Sequence, residues 1–183
     1  MQLRTCRFAK NMKMKKIVIC TFLSLFITGL VMAQDAQNLR FSVGPELGFA
    51  TGTFANTHSV GIGVTIQGEL PLQQNLYGTA TTGFIAYGGK SIGGTNQKYN
   101  SQTIIPIKIG IKYFFVGGFY GAAQLGLGIL GNYTKGTAFA YTPQIGYEFK
   151  TKSGKAVDAT LKYDGYSKNG TIEAIGFRLA YIF

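Results

Sequence analysis

The chain has 183 residues, of which 46% are hydrophobic and only 14% charged, where an ordinary soluble domain carries about 25% charged residues; its apolar surface has to be hidden in a core, in lipid or in both. The formal net charge is +11, but six of the basic residues (Arg4, Arg7, Lys10, Lys13, Lys15 and Lys16) precede the first apolar run, and the remaining twelve against seven acids are scattered except at Lys150, Lys152 and Lys155, which removes most of the case for a nucleic-acid partner. The 26 glycines follow no three-residue period, so collagen is excluded.

Lys15 and Lys16, the apolar stretch 17–31 and the small-residue end at Val31, Met32 and Ala33 read as a secretory signal peptide, with residues 1–33 removed on export. Met12 or Met14 is an alternative start. A retained membrane anchor is the competing reading, and the flanks fit cleavage better. Cys6 and Cys20 both lie in this segment, so the mature chain is expected to hold no disulfide, thiol or cysteine-based metal site. Residues 34–38 form a short lead-in.

From residue 39 to 183 the pattern is period two, and alternate side chains of a strand face opposite sides of a sheet. The first stretch sets Phe41, Val43, Leu47 and Phe49 against Ser42, Gly44, Glu46 and Gly48. The second alternates Val60, Ile62, Val64 and Ile66 with Gly61, Gly63, Thr65 and Gln67. The third, from Leu76 to Tyr87, alternates poorly. The fourth sets Ile105, Ile107, Ile109, Ile111, Tyr113 and Phe115 against Pro106, Lys108, Gly110 and Lys112. The fifth opposes Leu125, Leu127 and Ile129 to Gln124, Gly126 and Gly128, and the sixth opposes Phe139, Tyr141, Ile145, Tyr147 and Phe149 to Thr142, Gln144, Gly146 and Glu148. The seventh and eighth carry Val157, Ala159, Leu161 and Tyr163 against Asp158, Thr160, Lys162 and Asp164, then Ile175, Phe177, Leu179, Tyr181 and Phe183 against Gly176, Arg178 and Ala180. Short breaks at 71–75, 116–118 and 151–155 alternate with a long polar one between Gly88 and Asn100.

The polar face of these strands is mostly Gly, Ala, Thr and Gln, which does not suit a sheet face turned to water. In hydrocarbon every backbone polar group needs a partner within the protein, so a sheet must close on itself. The pattern therefore predicts an all-β fold: an eight-stranded antiparallel up-and-down transmembrane β-barrel, apolar outside. Eight strands leave an interior that side chains can fill. Glu46, Glu69, Glu148, Asp158 and Asp164 are expected to share the lumen with Lys108, Lys112, Lys162 and Arg178, as a salt-bridged plug in preference to an ion path. Aromatic residues near strand ends, Phe41, Phe49, Tyr77, Tyr87, Tyr113, Phe115, Tyr133, Tyr147, Phe149, Tyr181 and Phe183, predict girdles at the two lipid–water interfaces. Pro45, Pro106 and Pro143 fall inside predicted strands, and each is expected to need a bulge or a rim position.

The C-terminal run Phe177-Arg178-Leu179-Ala180-Tyr181-Ile182-Phe183 resembles the terminal signal of bacterial outer-membrane barrels, in which Phe177, Leu179, Tyr181 and Phe183 would be read by the periplasmic insertion machinery. The run Ile105-Pro106-Ile107-Lys108-Ile109-Gly110-Ile111-Lys112-Tyr113-Phe114-Phe115 is similar to a strand of the porin-family outer-membrane β-barrel domain, as is the glycine-rich stretch 119–130. The resemblance implies a small barrel in the outer membrane of a Gram-negative bacterium.

Signals for chemistry are sparse. His58, the only histidine, is expected as a solvated residue of the first outer loop. Lipid A-modifying barrels use His with Ser, but Ser59 would point to the opposite face, and Asp35 would lie at the far end of the barrel. The residues supply no metal-ligand cluster, and the Gly-rich runs lack the following helix of a phosphate loop. No cofactor and no enzyme activity are expected. The function expected is structural or surface-interacting, with outer-membrane lipid as surroundings and the Gly88 to Asn100 loop for outside contacts. Rival readings are a narrow pore for ions or small solutes, a lipid A-modifying enzyme and a soluble lipocalin-like barrel.

Overall fold

The computed structural model describes residues 39–93, 97–151, 155–168 and 170–183; the signal peptide and lead-in expected over 1–38 lie outside these residues. Eight strands follow one another: β1 (Arg40–Thr51), β2 (His58–Gln73), β3 (Leu76–Gly89), β4 (Gln102–Val116), β5 (Phe119–Asn132), β6 (Gly136–Lys150), β7 (Ala156–Lys168) and β8 (Gly170–Ile182). Each pairs antiparallel with the next, and β8 pairs with β1, so the sheet is a closed up-and-down barrel. A 3-10 helix, Gly52–Asn56, joins β1 to β2. The start of β1, the end of β8 and the tight connections β2–β3, β4–β5 and β6–β7 share one end, here the inner end. The β4–β5 turn spans two residues, Gly117 and Gly118, and Gly117 adopts φ 59°, a left-handed conformation that a two-residue hairpin requires and glycine supplies without strain.

The faces sort as the alternation demands. Ile107, Ile109, Leu125 and Phe177 all point away from the axis, Ile109 at 70% exposure. A lipocalin-like soluble barrel would bury these residues, so that reading is overturned. The nine lumen charges named from the sequence are all buried.

Five expectations are corrected. His58 is not a solvated loop residue: it opens β2 and is fully buried. Tyr87, expected in a girdle, is buried inside the barrel, seated over Gly48 and Gly61, where an added Cβ would come within 2.4 Å of its hydroxyl oxygen and 2.6 Å of its ring respectively. Tyr77 shares the inward parity of Thr79 and Thr81, with Arg40 stacked over its ring at 5.4 Å. The prolines need neither bulge nor rim. Pro45, Pro106 and Pro143 sit in mid-strand, each paired on one side, opposite Val64, Gly128 and Ala123. On the other side the ladder skips the proline while the register continues unshifted: from Val43 to Glu46 against β8, from Ile104 to Ile107 against β3, and from Tyr141 to Gln144 against β7. The proline therefore takes the place where a ladder N–H is absent. Pro71, expected in a turn, lies within β2 beside a register shift.

Candidate functional site

The lumen is filled in layers, each set by strand parity. Nearest the outer end, Ile85, Tyr87, Ile104, Leu130 and Tyr166 form an apolar layer under Phe54 of the 3-10 helix. Below it lies a charged layer. Lys108 Nζ donates to Asp164 Oδ1 at 2.8 Å and to Thr142 at 2.9 Å, and Lys162 Nζ bridges Glu46 at 2.6 Å and Asp164 at 3.0 Å. Arg178 reaches Glu46 through Thr65: its Nε donates to Thr65 Oγ1 at 2.8 Å, and that hydroxyl donates to Glu46 at 3.2 Å.

A neutral layer follows, in which Gln124 donates to Thr81 at 2.9 Å and Thr81 donates to Gln67 at 3.0 Å. The innermost layer gathers Glu69, Glu148 and Asp158 around one ammonium. Lys112 Nζ lies 2.9, 2.6 and 2.9 Å from these three carboxylates and 4.0 Å from the centre of the Tyr120 ring. The three acids stand close enough to hold a metal ion, but the lysine already supplies a cation at their centre. Arg40 closes this layer from the inner mouth, 2.7 Å from Glu148 and 3.6 Å from Glu69.

The structure thus brings all nine predicted charges into two connected layers and adds Arg40, which makes five bases for five acids. Arg40 carried a signal that the strand reading missed, since it shares the parity of Ser42 and Glu46. Burying these charges costs solvation that only close pairing offsets. Each layer nearly neutralises itself, two acids with three bases in one and three with two in the other.

At the outer end the same parity builds a different surface. His58 Nε2 donates to the carbonyl of Asn100 at 3.1 Å and its Nδ1 lies 2.8 Å from the Thr57 hydroxyl. Its ring stacks on Phe54 at 4.5 Å and meets Tyr133 edge-on at 5.0 Å. The histidine therefore ties the 3-10 helix to the β3–β4 connection, and Ser59 is exposed on the other face. Gln102, buried, grips Thr134 through both backbone groups, at 2.8 and 3.2 Å, and Lys90 ties to the carbonyl of Ala55 at 2.6 Å. Between these ties a cup of about 380 Å³ opens.

No protein-family model matches the chain, and no curated protein matches it significantly. Solved structures do. Neisserial surface protein A is similar over 79% of this chain and 94% of its own, with a TM-score of 0.56 at 13% identity. Ail, the attachment invasion locus protein of Yersinia pestis, solved with the heparin analogue sucrose octasulfate, is similar over 79% of this chain and 97% of its own, with a TM-score of 0.54 at 12% identity. The outer membrane protein OprG of Pseudomonas aeruginosa gives 0.51 at 9% identity, over 79% and 95%. At such identities the likeness is one of fold, and the fold is that of the small eight-stranded outer-membrane barrels.

Proposed function

We propose that the mature chain, after cleavage following Ala33, is an integral protein of a Gram-negative outer membrane whose lumen is sealed and whose work is done at its outer rim. The observation that supports this most directly is the pair of ion-paired layers, in which every lumen cation is engaged by acids or hydroxyls. Phe177, Leu179 and Tyr181 present an outward apolar row on β8, with Phe183 exposed just beyond it, a form suited to recognition by insertion machinery. The outer rim carries Lys90, Lys98 and Lys135, all exposed, with Lys168 close by. Glu173 is the one acid there among the described residues, so the rim suits an anionic surface polymer.

Reconstitution in planar bilayers tests the seal: no steady unitary current is expected, and stable conductance would instead establish the narrow pore. Retention on immobilised heparin tests the rim. Binding should weaken as salt rises and fall in the Lys90→Gln, Lys98→Gln, Lys135→Gln triple variant; unchanged retention would remove the rim from the function. Lipid A turnover lost on changing His58→Ala would restore the enzyme reading.

A further inference from the structure

The cup at the outer mouth is a built cavity, and its lining carries a chemical preference of its own. Leu130 and Tyr166 of the apolar layer form part of its lining, and the ion-paired layers fill the lumen beneath that layer, so it is a dead end and not the entrance of a channel. Its volume of about 380 Å³ falls within the range of small-ligand pockets, roughly 300–1,000 Å³. The ties from His58 to Asn100, from Gln102 to Thr134 and from the Lys168 ammonium to the carbonyl of Lys135 hold its walls in place before any ligand arrives, which lowers the ordering cost of binding.

Three kinds of group face this space. Tyr133 is 44% exposed although rings of His58 and Tyr99 hold it at 5.0 and 5.9 Å, so it presents a fixed aromatic face. Thr53, Thr134 and Thr171 line the cup, and their hydroxyls make no hydrogen bond among the described residues. Tyr166, also of the lining, keeps its hydroxyl buried with no hydrogen-bond partner among the described residues. Lys168 contributes one ammonium, and among the described residues no acid lines the wall.

We infer that the cup binds a single acidic sugar residue of the hexuronate class. The C–H face of the ring lies on Tyr133, its hydroxyls exchange hydrogen bonds with the threonines, and its carboxylate pairs with Lys168. A purely apolar ligand would leave the threonines and the lysine unsatisfied, and a neutral sugar would forgo the charge-assisted bond. Only the assignment of the ligand to the cell exterior rests on the function proposed above; the binding itself does not.

Titration calorimetry on the purified, refolded barrel in detergent tests it, with glucuronate, glucose and benzoate as probes. Glucuronate is expected to bind saturably and more tightly than either of the others. Lys168→Gln should weaken it about ten-fold, the size of one lost bond to a charged group, and Lys168→Arg should restore most of the loss. Tyr133→Ala, with its fold verified by the heat-dependent gel shift, should weaken glucuronate and glucose alike. Absence of saturable glucuronate binding, a preference for benzoate, or equal affinity in Lys168→Gln would overturn the assignment. The triple lysine variant of the rim leaves Tyr133 and Lys168 in place, so lost heparin retention with intact glucuronate binding separates failure at the rim from failure at the cup.

Discussion

Lys112 carries the heaviest electrostatic duty of any single residue in the barrel. Its ammonium is fully buried and stands between three buried carboxylates, with Arg40 as the only other base in the layer among the described residues. Lys112→Met keeps the length of the side chain and deletes the charge. Removing one partner of a buried pair typically costs about 3–5 kcal/mol, because the remaining charge is left uncompensated. The variant is therefore expected to unfold at clearly lower urea in a detergent-solubilised equilibrium titration, and an unchanged midpoint would show that the layer contributes nothing to stability. The parity of the strands made Lys112 and its partners legible in the sequence, since Lys108 and Lys112 oppose the isoleucine row of β4. His58 was not legible in the same way. Its burial depends on Asn100, 42 residues away, and on Phe54 and Tyr133, which local alternation cannot bring together.

Among the strands, what the sequence displayed as glycine-rich runs is a set of close approaches and sockets. Tyr120 sits where a Cβ on Gly146 would fall within 2.3 Å of its hydroxyl, and Tyr166 sits over Gly128. Large rings turn inward where a strand one or two places away has no side chain, and one strand read alone gives no hint of another strand's gap. The seam between β1 and β8 shows the same dependence at backbone level. At Gly44 a Cβ would lie 2.0 Å from the carbonyl oxygen of Leu179, and backbone cannot move aside as a flexible side chain can. Gly68, by contrast, would meet only Phe41 ring atoms at 3.5 Å or more, an ordinary contact. Gly44→Ala is thus expected to hinder closure of the barrel and to reduce the fraction showing the heat-dependent gel shift, while Gly68→Ala refolds like the parent. Equal yields for the two would mean that the seam relaxes freely.

As a unit, residues 39–183 form a closed barrel with its apolar side chains on the outside: Ile62, Ile109, Leu125, Ile145 and Leu161 lie along its wall, and Phe41, Tyr113, Phe115, Phe149, Tyr181 and Phe183 gather at the inner end. In water such a surface would aggregate; in a bilayer it is solvated by lipid, and the depth of each residue sets what a charge placed there would cost. A lysine at the midplane of a barrel costs about 2–4 kcal/mol and one near the interface about 0–1 kcal/mol. Ile109 lies at the centre of β4 and Phe115 one residue from its inner end. Comparing Ile109→Lys with Ile109→Ala, and Phe115→Lys with Phe115→Ala, isolates the charge from the lost apolar area at each depth. Equilibrium unfolding from lipid vesicles should show the full midplane penalty at Ile109 and little at Phe115. If the outer face met water instead, the lysine would be tolerated equally at both places, because an exposed ammonium on a solvated strand loses no hydration. The difference between the two lysine penalties therefore reports which solvent surrounds the barrel, independently of any ligand at its mouth.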